Sequence, residues 1–236
     1  MPLRNCFPEG RRKSDEETAK PKKKLWRTLL IPPRFRRGQY DAKGKAEQER
    51  TSTVNHEAIT FTDRAGNAIV VKPDQRIPLS PKQCFLLIQN WRAISRRIAE
   101  TGTRMFITLF RNNAELLTFF PNVQMDDPSS YNLENLKYHA ERVMGVLDQA
   151  VHLVGEADSF FNLLNVYAEY HAKKAKFQPT FFLKICPALK EAIKETLGDS
   201  YTENMANIYE VFFDLVIRTL VADCEAAIQC NAVANK

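Results

Sequence analysis

One stretch, Leu164-Asn-Val-Tyr-Ala-Glu-Tyr-His171-Ala-Lys-Lys-Ala-Lys176, constrains this chain more than any other. On a helix Leu164, Tyr167, Ala168 and His171 fall at i, i+3, i+4 and i+7, so a single imidazole sits on an otherwise apolar stripe. Directly after it, Lys173, Lys174 and Lys176 load the last turn with positive charge, which suits a helix C-terminus. An imidazole titrates near neutrality and is costly to bury unpaired, so a lone histidine of this kind is by default a core or rim residue with one hydrogen bond. A second histidine changes that reading. The segment Asn132-Leu-Glu-Asn-Leu-Lys-Tyr-His139-Ala-Glu-Arg-Val143 puts His139 on the apolar stripe of a longer helix.

Two helices that each aim one imidazole from an apolar face can sandwich a flat apolar disc with a metal at its centre, which is the description of a haem. The rest of the pattern supports a helical frame for it. Ser80-Pro-Lys-Gln83 is a capping box with proline at the first helical position and Leu79 before it, and Leu87, Ile88, Trp91, Ile94 and Ile98 follow as a stripe. Gly102 breaks the pattern, and Phe106, Leu109, Phe110 and Leu117 resume it up to an aromatic corner at Phe119-Phe120-Pro121. A polar loop is expected from Gln124 to Tyr131, then a long stripe from Leu136 to Val154 that Gly155 closes. Pro179 starts a helix that Gly198 stops, and Ser200-Tyr-Thr-Glu203 reads as a second capping box before the last stripe. The folded part is therefore expected to be all α.

Charge separates this part from what precedes it. Residues 1–50 hold fifteen Lys and Arg against seven Asp and Glu, while the remainder holds nineteen against twenty-one. Residues 1–57 are polar, charged and without periodicity, which predicts a disordered basic tail. Within it, residues 20–37 alternate a basic cluster, an apolar run containing Trp26, and a second basic cluster. A solvated charge run is the plain reading. The sharper ones are attachment to an anionic membrane surface, nuclear import, or a docking peptide for a protein partner. Residues 58–77 read as a linker with a short hairpin around Arg64-Ala-Gly-Asn67. The five cysteines, at 6, 84, 186, 224 and 230, have no metal-site spacing and fit reduced thiols of a cytoplasmic protein. No eighteen-residue apolar run, signal-peptide core or glycine at position 2 is present in the sequence.

From Ser80 to Cys224 the order of features resembles the globin family, and the extended tail resembles those of nematode and neuronal-type globins. A Trp in the first helix, Leu109-Phe-Arg111 before an aromatic corner, a histidine on the long helix and another near the end of a short one recur there in this order. The resemblance implies a globin fold of six to eight helices in a haem domain at 78–225, with 226–236 as a short C-terminal tail. It implies haem b, with His171 as proximal ligand to the iron and His139 on the distal side. Val143 would face the ligand side one turn further on, Phe106 would back the distal pocket, and Tyr167, Phe177 and Phe182 would pack against the proximal face and edge of the ring. Phe120 matches the corner phenylalanine, but the proline that usually opens the short third helix is Ala114 here, which leaves Phe119 as its rival.

Arg142, one turn after His139, either reaches a haem propionate or the distal ligand or simply faces solvent. His152 lies about 220° round the helix from His139 and is expected at the surface, and His56 is assigned no role. His139 either donates a hydrogen bond to a gas ligand or ligates the iron itself; an apolar distal wall with Phe106 in place of a tyrosine favours bis-histidine coordination. The expected function is binding of O₂, CO or NO, gas sensing or electron transfer, and not catalysis, because no reductase domain accompanies the helical part. The rival readings are a haem-free globin-like scaffold and an NO dioxygenase or peroxidase.

Overall fold

The computed structural model describes residues 57–123 and 132–234. Outside them lie residues 1–56, with the basic segment, Cys6 and His56, and the expected loop from Gln124 to Tyr131.

The chain first forms a hairpin, β1 (Ile59–Thr62) antiparallel to β2 (Ala68–Val71), with Ile59 opposite Val71. Asp63 makes the turn. Its Oδ1 accepts from the backbone N–H of Ala65 and of Asn67, both at 2.8 Å, and Gly66 takes the positive φ of 84° that the reversal needs. The short hairpin expected around Arg64-Ala-Gly-Asn67 forms, and the segment packs on the helical core. Val71 and Ile77 are buried in the main core, Phe61 stacks on Phe85 at 4.8 Å, and the Lys72 N–H donates to the Gly155 carbonyl at 3.0 Å. The Arg92 guanidinium pairs with the buried Asp63 carboxylate and holds it well below the usual carboxylate range.

Six α-helices follow among the described residues: α1 (Pro81–Ser95), α2 (Ile98–Asn112), α3 (Leu133–Leu153), α4 (Ala157–Ala172), α5 (Phe181–Leu197) and α6 (Glu203–Ala234). A 3-10 turn, Ala114–Phe119, follows α2, and a shorter one, Gly198–Ser200, follows α5. The capping box at Ser80 forms as its spacing predicts, with reciprocal Ser80 and Gln83 bonds. Leu87, Ile88, Trp91 and Ile94 of α1 are buried. Large side chains of this kind contribute roughly 1.5–3 kcal/mol each when taken from water. Burial also pairs the Trp91 indole, whose Nε1 donates to Asp148 Oδ1 at 3.0 Å.

Three boundaries differ from those read in the sequence. The break near Gly102 falls instead at Arg96–Arg97, where Arg97 leaves helical dihedrals (φ −128°, ψ 29°) and α2 begins. Gly102 lies inside α2 because α3 crosses it closely: a Cβ there would stand 2.7 Å from Met144 Cγ and 3.0 Å from Ala140 Cβ. At the start of α6 the cap is Thr202, whose Oγ1 accepts from the Met205 N–H at 3.3 Å, while Ser200 is taken into the preceding 3-10 turn. The last helix does not stop near 225 but continues to Ala234. The α2–α3, α2–α5 and α4–α6 pairs pack most extensively and enclose a cavity between them.

Candidate functional site

His171 sits in the last turn of α4. Its Nδ1 lies 2.7 Å from the carbonyl oxygen of Tyr167, one turn earlier. A carbonyl only accepts, so Nδ1 carries the proton and Nε2 keeps its lone pair. Around the ring stand Phe177, with centroids 4.9 Å apart, and Phe182, at 5.1 Å. Phe177 reaches this place because Lys176 before it adopts a positive φ of 64°, which turns the chain between α4 and α5.

His139 enters the same cavity from α3. Its ring meets Phe106 at 4.9 Å and Phe120 at 5.0 Å, both nearly edge on. No hydrogen-bond partner for it exists among the described residues. Burial pushes the His139 imidazole down to about 3, with the charges of His171 and Arg142 adding to the effect. Burial likewise lowers His171 to about 4, against the upward pull of the Tyr167 hydrogen bond, and Lys174 adds a small downward push. Both rings are therefore neutral at physiological pH, the form in which imidazole ligates a metal.

The cavity between them has about 1040 Å³ of atom-free space, its open mouth included, and an almost wholly apolar lining. Of the residues named from the sequence, Phe106, Phe120, His139, Val143, Tyr167, His171, Phe177 and Phe182 all line it. Arg142 does not. Its guanidinium donates to the Tyr138 hydroxyl at 3.2 Å and lies over that ring, outside the lining. His152 is at the surface as expected, its Nδ1 2.7 Å from the Asp148 carbonyl. Phe119 and Phe120 both line the cavity, but they divide between its two imidazoles. Phe120 joins Phe106, Phe110 and His139, whereas Phe119 meets Phe181 at 5.2 Å and, through Phe177, the His171 side. Phe120 is thus the corner ring that touches His139. The sequence reading missed the floor supplied by α5 and α6, including Leu189, Phe213, Val216 and Leu220. Their helical periodicity marks them only as buried, and a cavity wall shares that pattern with any core.

These residues fit a haem. A metal held by protein atoms alone would need more donors, and no group of three or more His, Cys, Asp or Glu side chains is suitably placed among the described residues. A macrocycle brings its own equatorial nitrogens and asks of the protein one or two axial imidazoles and apolar walls. His171 and His139 answer the first demand and the phenylalanines the second.

A helical domain that turns two neutral imidazoles into one apolar cavity defines a class of cofactor-holding folds. The family model described as Globin matches residues 103–220, and this chain belongs to the globin family. It is 26% identical over 130 residues to cytoglobin-1 of Oryzias latipes, covering 54% of this chain and 71% of that protein. It is 29% identical over 140 residues to leghemoglobin of Canavalia lineata, covering 57% of this chain and 89% of the relative. Among solved structures, a hexacoordinated heme protein from an anhydrobiotic tardigrade superposes with a TM-score of 0.61 at 27% identity, covering 65% of this chain and 99% of that one.

Proposed function

We propose that this globin binds haem b through His171, with His139 as the sixth ligand in the absence of a gas, and that it binds diatomic gases or passes electrons. The observation that carries the reading is the pair of imidazoles: Nε2 of His171 is left free by the Tyr167 bond, and His139 has no polar partner among the described residues. The half-buried His139 ring, packed edge-on against Phe106 and Phe120, turns nitrogens without a protein partner among the described residues into the apolar cavity, where a metal facing them would engage one. The similarity to a hexacoordinated heme protein supports the six-coordinate form. When bound, the haem supplies an iron that takes up O₂, CO or NO, or an electron.

The chain's own contribution is orientation and exclusion of water. Tyr167 fixes the His171 tautomer, Phe177 and Phe182 brace the ring, and Phe106, Phe120 and Val143 keep the opposite side dry. Among the described residues that line the His139 side, His139 is the one group able to move a proton, and the reading of gas or electron binding rests on the two imidazoles. The basic segment at 20–37 would serve location, as an attachment to an anionic membrane surface in the cytoplasm.

Absorption spectra of the protein purified with haem supplied test this. Ferric and ferrous forms should both be low-spin and six-coordinate without added ligand, and His139→Leu should give a high-spin ferric form with faster CO binding. A high-spin ferrous wild type would make His139 a hydrogen-bond donor and put an O₂ carrier ahead. Protein that takes up no haem would leave the scaffold reading.

A further inference from the structure

The Ala114–Phe119 turn and α5 meet at one wall of the cavity. Phe119 and Phe181 both line the cavity and are both only half-buried, so the same two rings separate it from solvent. They meet edge to face at 5.2 Å. Outside them the Lys184 ammonium pairs with the Glu115 carboxylate and stands 5.8 Å from the centre of the Phe181 ring. Among the described residues, this ion pair is the hydrogen-bonded link between the turn and α5; no backbone bond joins them. The wall also reaches the ligand side, because Phe181 meets Phe177 at 5.6 Å and Phe177 meets the His171 ring at 4.9 Å.

We infer that Glu115 and Lys184 form a clasp that holds the Phe119–Phe181 wall shut and sets how slowly haem leaves the cavity. The inference rests on the haem reading. A bound haem leaves through the open mouth of the cavity or past a wall that yields beside it, and among the described residues this wall is held by two side-chain contacts and no backbone bond. The ion pair is partly exposed, with side chains 35% and 57% accessible for Lys184 and Glu115, so its effect is small and salt-sensitive. Glu115 and Lys184 are positioning residues; neither lines the cavity.

The test is the rate of haem transfer from the full-length, haem-loaded protein to an excess of a haem-scavenging apoprotein. Glu115→Gln and Lys184→Gln should each release haem about two- to fivefold faster than wild type at low salt. High salt should accelerate wild type towards the same rate and leave the single variants nearly unchanged. The reversed pair, Glu115→Lys with Lys184→Glu, should return to near the wild-type rate. Thermal midpoints of the haem-free forms should shift by no more than about 2–4 °C throughout, which separates a clasp from general loosening. Single variants that release haem at the wild-type rate overturn the inference while the haem reading stands, and so does a reversed pair that restores nothing. A wild type that takes up no haem removes both.

Discussion

The ring of His171 is held by Tyr167 through the backbone and not through the tyrosine side chain, with Nδ1 2.7 Å from the carbonyl oxygen. His152 makes the same bond to Asp148, also at 2.7 Å, yet its side chain is 53% exposed. The local bond is common to both, and only the direction of the ring sets them apart. His171→Ala should therefore lose haem or hold it loosely, while His152→Ala and His56→Ala leave the haem spectrum unchanged. Tyr167→Phe keeps the carbonyl and should keep the coordination. An unaltered spectrum in His171→Ala would sink the assignment.

The haem-free protein should weaken steeply in mild acid. His139 and His171 are lowered to about 3 and about 4 in the fold, while in the unfolded chain they titrate near 6.5. Between these values the unfolded state binds more protons, so stability is full above about pH 6.5 and falls as pH drops toward 4. The loss is on the order of 3 kcal/mol for each ring at pH 4. Denaturant unfolding of the haem-free protein against pH measures it, and replacing both histidines by leucine should flatten that part of the curve.

The crossing of α2 on α3 depends on Gly102. An added methyl would meet Met144 Cγ at 2.7 Å and the Ala140 carbonyl oxygen at 3.0 Å, so Gly102→Ala should cost about 1–3 kcal/mol. Gly145, in α3, has nothing within 4 Å of a built Cβ, and Gly145→Ala should stabilise by about 0.5–1 kcal/mol through helix propensity. Opposite shifts of the denaturation midpoint check the pair.

The basic segment at 20–37 should bring the full-length protein to anionic vesicles. Its two clusters, with Lys22, Lys23 and Lys24 in one and Arg34, Arg36 and Arg37 in the other, flank Trp26, Leu29, Leu30 and Ile31. Near an anionic surface each basic group contributes about 1 kcal/mol, enough for salt-sensitive association. Full-length protein should sediment with such vesicles at low salt and less at high salt, and replacing those six residues by glutamine should abolish it. Failure to sediment at low salt points to a protein partner or nuclear import instead.

Much of the site was legible before the fold was known, because it rests on short-range regularities. The i, i+3, i+4, i+7 spacing that ends in His171, the matching stripe of His139 and the cap at Ser80 are each contained within a few turns of helix. The ordered set of Phe106, the aromatic corner and the two histidines then narrowed the fold to one family. What sequence spacing could not supply were distances between helices. Gly102 looked like a break because glycine is poor in helices, and only the passage of α3 at van der Waals range gives it a place inside α2. Phe120 matched the corner position with Phe119 as its rival, and they separate because consecutive side chains on a tight turn point to different walls. Arg142 leaves the cavity for Tyr138, and Leu189, Phe213 and Val216 enter it. A buried apolar residue carries the same pattern in sequence whether it meets another side chain or an open cavity, and that difference exists only once α5 and α6 have packed.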